Sequence, residues 1–169
     1  RYTNEHGIPE EVIRAILKDR YSDDAEEHWD FSASTLVAPI LLTELVRRYP
    51  KRQRIFDITQ EFWAFFGSIA HQVLEEAWHE SMDSVVEERV YYTFEYNGKE
   101  WTLSGKPDCY AKPQIRDYKT TKVYKIMKGD FLDWERGQNV YAQLIRWEGH
   151  PVESILIIAL LTDWKKGEV

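Results

Sequence analysis

The chain has 169 residues, the length of one ordinary domain, and its 43% hydrophobic and 14% aromatic content exclude intrinsic disorder as the main state. A single cysteine, Cys109, excludes an internal disulfide framework, a cysteine-built zinc site and an iron–sulfur cluster held by four cysteines of this chain. Mean hydropathy is -0.54 and no apolar run approaches the ~18 residues of a membrane helix, so no membrane partner is expected. The formal charge is -7, yet the bases cluster: Arg47 to Arg54 (RRYPKRQR) carries no acid, and Ala111 to Lys128 carries only Asp117. Such stretches are either solvated surface or a phosphate-binding stripe on an acidic body.

In chain order, Ile8 to Lys18 (IPEEVIRAILK) predicts a short amphipathic helix with Ile8, Val12 and Ile16 on one face. Tyr21 to Asp30 is acidic and polar, a loop or linker. Ser34 is the expected N-cap of a helix over Thr35 to Tyr49, in which Pro39 is awkward unless it lies in the first turn. Asp57 is the next cap. It opens a long helix from Ile58 to about Glu80, with Phe62, Phe65, Phe66, Ile69, Val73, Leu74 and Trp78 on its apolar side. The period then changes: Val85 to Tyr96 (VVEERVYYTFEY) reads as a strand, Asn97-Gly98 as a type I′ hairpin turn, and Lys99 to Tyr110 as the returning strand. Ile115 to Lys119 is a short third strand. Asp130 to Trp147 predicts a helix with Phe131, Trp134, Tyr141 and Ile145 in one stripe, ended by Gly149-His150-Pro151. Ser154 to Leu161 (SILIIALL) reads as a buried strand. From the long helix onward the order is α-β-β-β-α-β, an α/β fold with a small mixed sheet flanked by helices. One domain over residues 1–169 is expected, with 1–56 as a helical N-terminal appendage and 57–164 as the core. The chain opens on Arg1 and shows no signal-peptide pattern. It is expected to be an ordered part of something longer in a reducing, cytoplasmic setting, the host cytoplasm if phage-encoded.

The chemistry concentrates in Gly105-Lys106-Pro107-Asp108 and Asp117-Tyr118-Lys119. Asp108 ends the second strand, and alternation puts Asp117 and Lys119 on one face of the third with Tyr118 pointing away. Two carboxylates converging at strand ends form a hard oxygen site suited to one or two Mg2+ or Mn2+ ions. A lysine beside them can orient water and offset charge on a phosphoryl transition state. The plainer reading is an Asp/Lys surface pair across two strands. His71 lies one helical turn beyond Gly67 and is a candidate third ligand, or else an ordinary capped or core histidine. Gln138 interrupts the apolar stripe of its helix, where a polar group requires a partner. That partner is either the metal site or backbone at the helix–sheet seam. Trp134 and Tyr124 are rings able to stack on a base.

The segments GSIAH (Gly67 to His71), SGKPD (Ser104 to Asp108), RDYKT (Arg116 to Thr120) and the Gln138/Tyr141 helix resemble, in that order, the motif series of the PD-(D/E)XK nuclease superfamily. Within it they resemble the RecB-type exonuclease branch with its phage-encoded and CRISPR-associated relatives. The resemblance covers about residues 31 to 164. It implies a restriction-endonuclease-like core and a Mg2+- or Mn2+-dependent deoxyribonuclease acting in exonuclease-like end processing or recombination, with DNA and recombination or phage proteins as partners. His71, Asp108 and Asp117 match the family's metal ligands, the Tyr118 carbonyl its backbone ligand and Lys119 its catalytic lysine. Glu88, on the first strand, matches a frequent family acid. Gln138, Tyr141, Arg47, Arg48, Lys51, Arg52, Lys122 and Lys125 are the expected nucleic-acid contacts. Two features depart from the pattern. The iron–sulfur cysteines of some relatives are missing, so no such cluster is expected. Gln138 precedes Tyr141 by three residues where the family has four, with Gly137 in the usual slot. The alternative is an inactive DNA-binding or regulatory module on the same fold, against which the intact Asp108, Asp117 and Lys119 set argues.

Overall fold

The computed structural model describes residues 2–21, 29–49, 55–79, 85–86 and 88–165. These residues form a mixed α/β fold that divides into two compact units, Arg1–His28 with Ala38–Ala70, and Trp29–Val37 with His71–Val169.

In the first unit, strand β1 (Tyr2–Thr3) precedes helix α1 (Glu10–Tyr21), whose acidic first turn suits the positive end of the helix dipole. Of the predicted face Ile16 is buried and Ile8 and Val12 are partly so; Ile13, which was not predicted, is buried with them against Ile58. The helix expected over Thr35 to Tyr49 is two helices. Strand β2 (Phe31–Ser32) and α2 (Ala33–Val37) belong to the second unit, and Pro39 then starts α3 (Ile40–Arg48) in the first. Pro39 lacks an N–H and crowds a preceding turn, so it begins a helix rather than continuing one. Ser34 is not the cap; Ser32 Oγ accepts the Thr35 N–H at 3.1 Å. Strand β3 (Phe56–Asp57) pairs in parallel with β1. Asp57 caps as expected, accepting the Thr59 N–H at 3.0 Å, although the first turn, Ile58–Glu61, is a 3-10 turn before α4 (Phe62–His79). Of the predicted apolar side of α4, Phe62 and Phe65 pack on the Ile13 cluster, whereas Phe66, Ile69 and Val73 are exposed.

In the second unit the aromatic run is not one strand. Val85–Val86 (β4) and Val90–Tyr96 (β5) belong to different sheets, and the charged Glu88-Arg89 pair marks the crossing. Glu88 is therefore not on a strand but exposed in the link between two. The return strand divides too, into β6 (Lys99–Gly105) and β7 (Cys109–Ala111), where Pro107 has no N–H to give a ladder. The β5–β6 hairpin turns at Asn97 (φ 53) and Gly98 (φ 70), the two positive φ values of a type I′ turn, with Tyr96 opposite Lys99. Strand β8 (Gln114–Thr121) is longer than expected. Helix α5 (Val123–Lys128) was not predicted, since its start is capped from 40 residues away by Asp163 Oδ1, which accepts the Val123 N–H at 2.8 Å. Helix α6 (Leu132–Trp147) then crosses to strand β9 (Ser154–Leu161), parallel to β8.

The sheets run β2-β6-β5 and β4-β7-β8-β9, so β9 is an edge strand. Its continuous apolar sequence suggested burial, but with one edge unpaired among the described residues Leu156 and Leu161 stay exposed. Helix α6 buries Ala142, Leu144 and Ile145 against Val90, Leu103 and Ile115. The approach is close at Gly105, where a Cβ would stand 2.6 Å from Leu144 Cδ1 and 2.8 Å from Tyr141 Cδ1. No helix among the described residues is long and apolar enough to cross a membrane.

Candidate active site

Strand β8 has two different halves. From Gln114 to Arg116 it pairs with β7, and beyond Arg116 that pairing stops. There Asp108 takes over from the missing strand: its Oδ2 accepts the Tyr118 N–H at 2.8 Å. The N–H and C=O of a strand residue face the same neighbour, so the Tyr118 carbonyl also faces the Asp108 edge. His71 Nδ1 stands 3.4 Å from the same Asp108 oxygen, and the His71 ring meets Tyr118 edge-on at 6.2 Å.

The other face of β8 lies under α6. Ile115 is fully buried there, and Asp117, two residues on, is 2% exposed. Asp117 Oδ1 accepts two short hydrogen bonds, from Lys119 Nζ at 2.6 Å and from Gln138 Nε2 at 2.6 Å. Alternation thus brings Asp117 and Lys119 together and turns Tyr118 away, as the sequence predicts. Gln138 is 3% exposed, and its amide nitrogen is fixed by the carboxylate it faces, which turns Oε1 away. Asp117 Oδ2 and Gln138 Oε1 are both buried without a hydrogen-bond partner among the described residues. Leaving such a group unsatisfied costs about 1–3 kcal/mol. Burial pushes the Asp117 carboxyl above its ordinary value of 3.8, outweighing the pull of Lys119, and the Asp108 charge pushes in the same direction as burial.

Tyr141 lies one turn beyond Gln138, against Gly105. Burial raises its hydroxyl pKa, with Asp108 and Asp117 adding to the effect. Arg89 is a site neighbour that sequence reasoning missed. Its Nη1 is 3.3 Å from the buried Ser104 Oγ, its guanidinium lies 4.2 Å from the centre of the Trp29 ring, and its charge opposes the rise at Tyr141. The available signal was a lone arginine inside a β-branched and aromatic run.

Beside Gln138 lies a hollow of about 350 Å³. Ile126, Phe131 and Trp134 form its helical side, and Ile155, Ile157 and Ala159 of β9 its floor. Ile157 and Ala159 are the register partners of Asp117 and Lys119. Phe131 and Trp134 stack on each other at 5.3 Å.

Lys122 is exposed at the start of α5, and Lys125 is held by Asp133 at 2.9 Å with its amine 5.2 Å from the Trp134 ring centre. Arg47 and Arg48 belong to the other unit, where both bind Glu44, at 2.9 and 2.7 Å. Lys51 and Arg52 lie outside the described residues.

Among the described residues no three His, Cys, Asp or Glu side chains form a ready metal-holding group. Two of the expected ligands, His71 and Asp108, meet at ion-pair distance. The donor chemistry still fits a hard cation at the two carboxylates, because Asp117 keeps a buried oxygen unused beside the negative charge of Asp108.

No protein-family model and no curated protein matches the sequence. A solved structure, that of SSO0001, is similar with a TM-score of 0.69 and 18% sequence identity, covering 92% of this chain and 73% of that one. The likeness is one of fold.

Proposed function

We propose that this chain is a metal-dependent nuclease that hydrolyses phosphodiester bonds in DNA on the restriction-endonuclease-like core of the PD-(D/E)XK superfamily. The observation that carries the reading is the buried Asp117, with one oxygen unused, held between Lys119 and Gln138 in the middle of β8, where β7 has ended and Asp108 binds the next residue. A stable core gains nothing from a half-satisfied buried carboxylate, whereas a site that receives a cation does. Asp108 and Asp117 would hold Mg2+ or Mn2+, with His71 and the Tyr118 carbonyl at the Asp108 edge. When bound, the ion supplies Lewis-acid polarisation of a phosphoryl oxygen and lowers the pKa of water.

The chain's own groups do the rest. Gln138 and Lys119 fix the Asp117 carboxylate from one side, leaving its other oxygen for the ligand. The Tyr118 N–H fixes Asp108 in the same way. Lys119, whose amine lies 2.6 Å from Asp117, would orient the attacking water and offset the charge that gathers on the phosphoryl oxygens. Work at DNA ends, in processing or recombination, is the cellular role this chemistry serves.

The test is incubation of the chain with single- and double-stranded DNA in Mg2+ and in Mn2+. Cleavage that EDTA stops and that is lost in Lys119→Ala is the expected result. DNA binding without cleavage in either ion would overturn the reading in favour of an inactive binding module.

A further inference from the structure

We propose that the hollow beside Gln138 is a binding slot for one unpaired nucleobase of the substrate strand, which makes single-stranded or frayed DNA the substrate class. This inference rests on the nuclease reading and extends it. Three observations carry it. The first is size and lining: about 350 Å³ lies at the low end of small-ligand pockets, and its walls are apolar and aromatic. A single base drawn out of its stack can enter such a hollow, with Trp134 and Ile157 among its walls.

The second is Gln138, which lines the hollow, is 3% exposed and keeps a buried acceptor oxygen without a partner among the described residues. A nucleobase has two apolar faces and an edge carrying N–H donors, so its faces suit the ring wall and its edge suits the polar side chains of the lining, Gln138 among them. An aliphatic side chain of a protein partner would satisfy the walls and leave the amide unmet.

The third is position. The nitrogen of the same amide holds Asp117, and the floor residues Ile157 and Ala159 are the register partners of Asp117 and Lys119. A base seated in the slot therefore places its own backbone at the strand end where the carboxylates and Lys119 converge. The rim is mixed in charge: Glu135 and Asn139 line it, and Lys125 stands over Trp134 while bound to Asp133. Gln138 thus acts as a positioning residue that links a seated base to the orientation of Asp117. A duplex must give up a base to fill the slot, so unpaired ends are favoured.

The experiment measures binding without cleavage, in EDTA, by fluorescence anisotropy. The probes are a labelled oligothymidylate and a strand of equal length and charge that is abasic throughout. The base-bearing strand is expected to bind about tenfold more tightly, the scale of one base stacked on an aromatic side chain. Trp134→Ala should bring that ratio close to one while leaving affinity for the abasic strand unchanged. Ala159→Phe, which fills the slot from its floor without disturbing the Phe131–Trp134 ring pair, should do the same and decides the matter if Trp134→Ala fails to fold. A ratio unchanged in the folded variant overturns the slot. Should the chain cleave duplex and single strands equally in Mg2+ with no base dependence of binding, the nuclease reading stands and this inference falls. Failure to bind either strand, together with no cleavage, removes both.

Discussion

Two carboxylates in this molecule meet basic partners at similar distances and shift in opposite directions. Glu44 on α3 keeps 34% of its side-chain surface in solvent and accepts hydrogen bonds from Arg47 and Arg48, which lower its pKa from 4.5 to about 2. Asp117 on β8 has Lys119 at 2.6 Å, yet burial wins and its pKa rises. A cation at contact distance stabilises a hydrated carboxylate, but a dehydrated one needs more than a single amine and a single amide. The Glu44 triad is ordinary surface chemistry. At Asp117 the shortfall is what the proposed function rests on.

The sharpest way to break this comparison is to remove the partners at Asp117. Lys119→Ala should lower DNA cleavage by about 100- to 10,000-fold while Mn2+ still binds, and Asp117→Asn should lose both activity and Mn2+ affinity. Calorimetric Mn2+ titration beside a cleavage assay reads the pair, and full activity in Lys119→Ala would sink the mechanism. Next in size is Gly105→Ala. A Cβ placed 2.6 Å from Leu144 Cδ1 should cost about 1–3 kcal/mol in urea unfolding, since α6 must retreat from β6 and take Gln138 with it.

Asp117→Asn should also raise Tm by roughly 2–4 °C at pH 7, because a neutral amide escapes the dehydration cost and Gln138 can turn its oxygen toward it. An unchanged or lower Tm would mean that Asp117 is comfortable as an anion. The pH dependence follows with a definite sign. A carboxyl whose pKa is raised on folding binds more protons in the native state, so its contribution is fully present below the unfolded value and is lost as pH rises through the folded one. Glu44 does the reverse: its contribution is present above 4.5 and lost as pH falls toward about 2. Unfolding measured at pH 4.5 and pH 7 should therefore show a loss with rising pH that is smaller in Asp117→Asn than in the parent chain. The smallest effect is expected at Glu44→Gln, a slight lowering of Tm at neutral pH, because solvent screens a surface ion pair.

The comparison also shows what was legible beforehand. Alternation at Asp117, Tyr118 and Lys119 and the polar interruption at Gln138 were readable because both follow from the local period of strand and helix. The Asn97-Gly98 turn and the span of β9 were readable for the same reason. The breaks at Glu88-Arg89 and Lys106-Pro107-Asp108 were not, because a run of β-branched and aromatic residues has the same local pattern whether it stays in one sheet or passes to another. Helix α5 was hidden because its cap, Asp163, is remote in sequence. Clustered bases misled in another way. Arg47 and Arg48 lie in a stretch without acids, but Glu44 reaches them from one helical turn earlier.

The parallel pairing of β8 with β9 also orders events in time. The β5–β6 hairpin closes over a two-residue turn and forms on the order of 1–10 μs. Strand β8 meets β9 only after residues 122–153 have been gathered, and Gln138 travels within that loop. Loop entropy is lost before such distant contacts return any gain. Asp117 therefore keeps its water until the crossover closes, and gives it up in the same event that delivers Gln138 and the floor of the hollow. By contact order the hairpin is expected to form before the crossover, and so before the candidate active site.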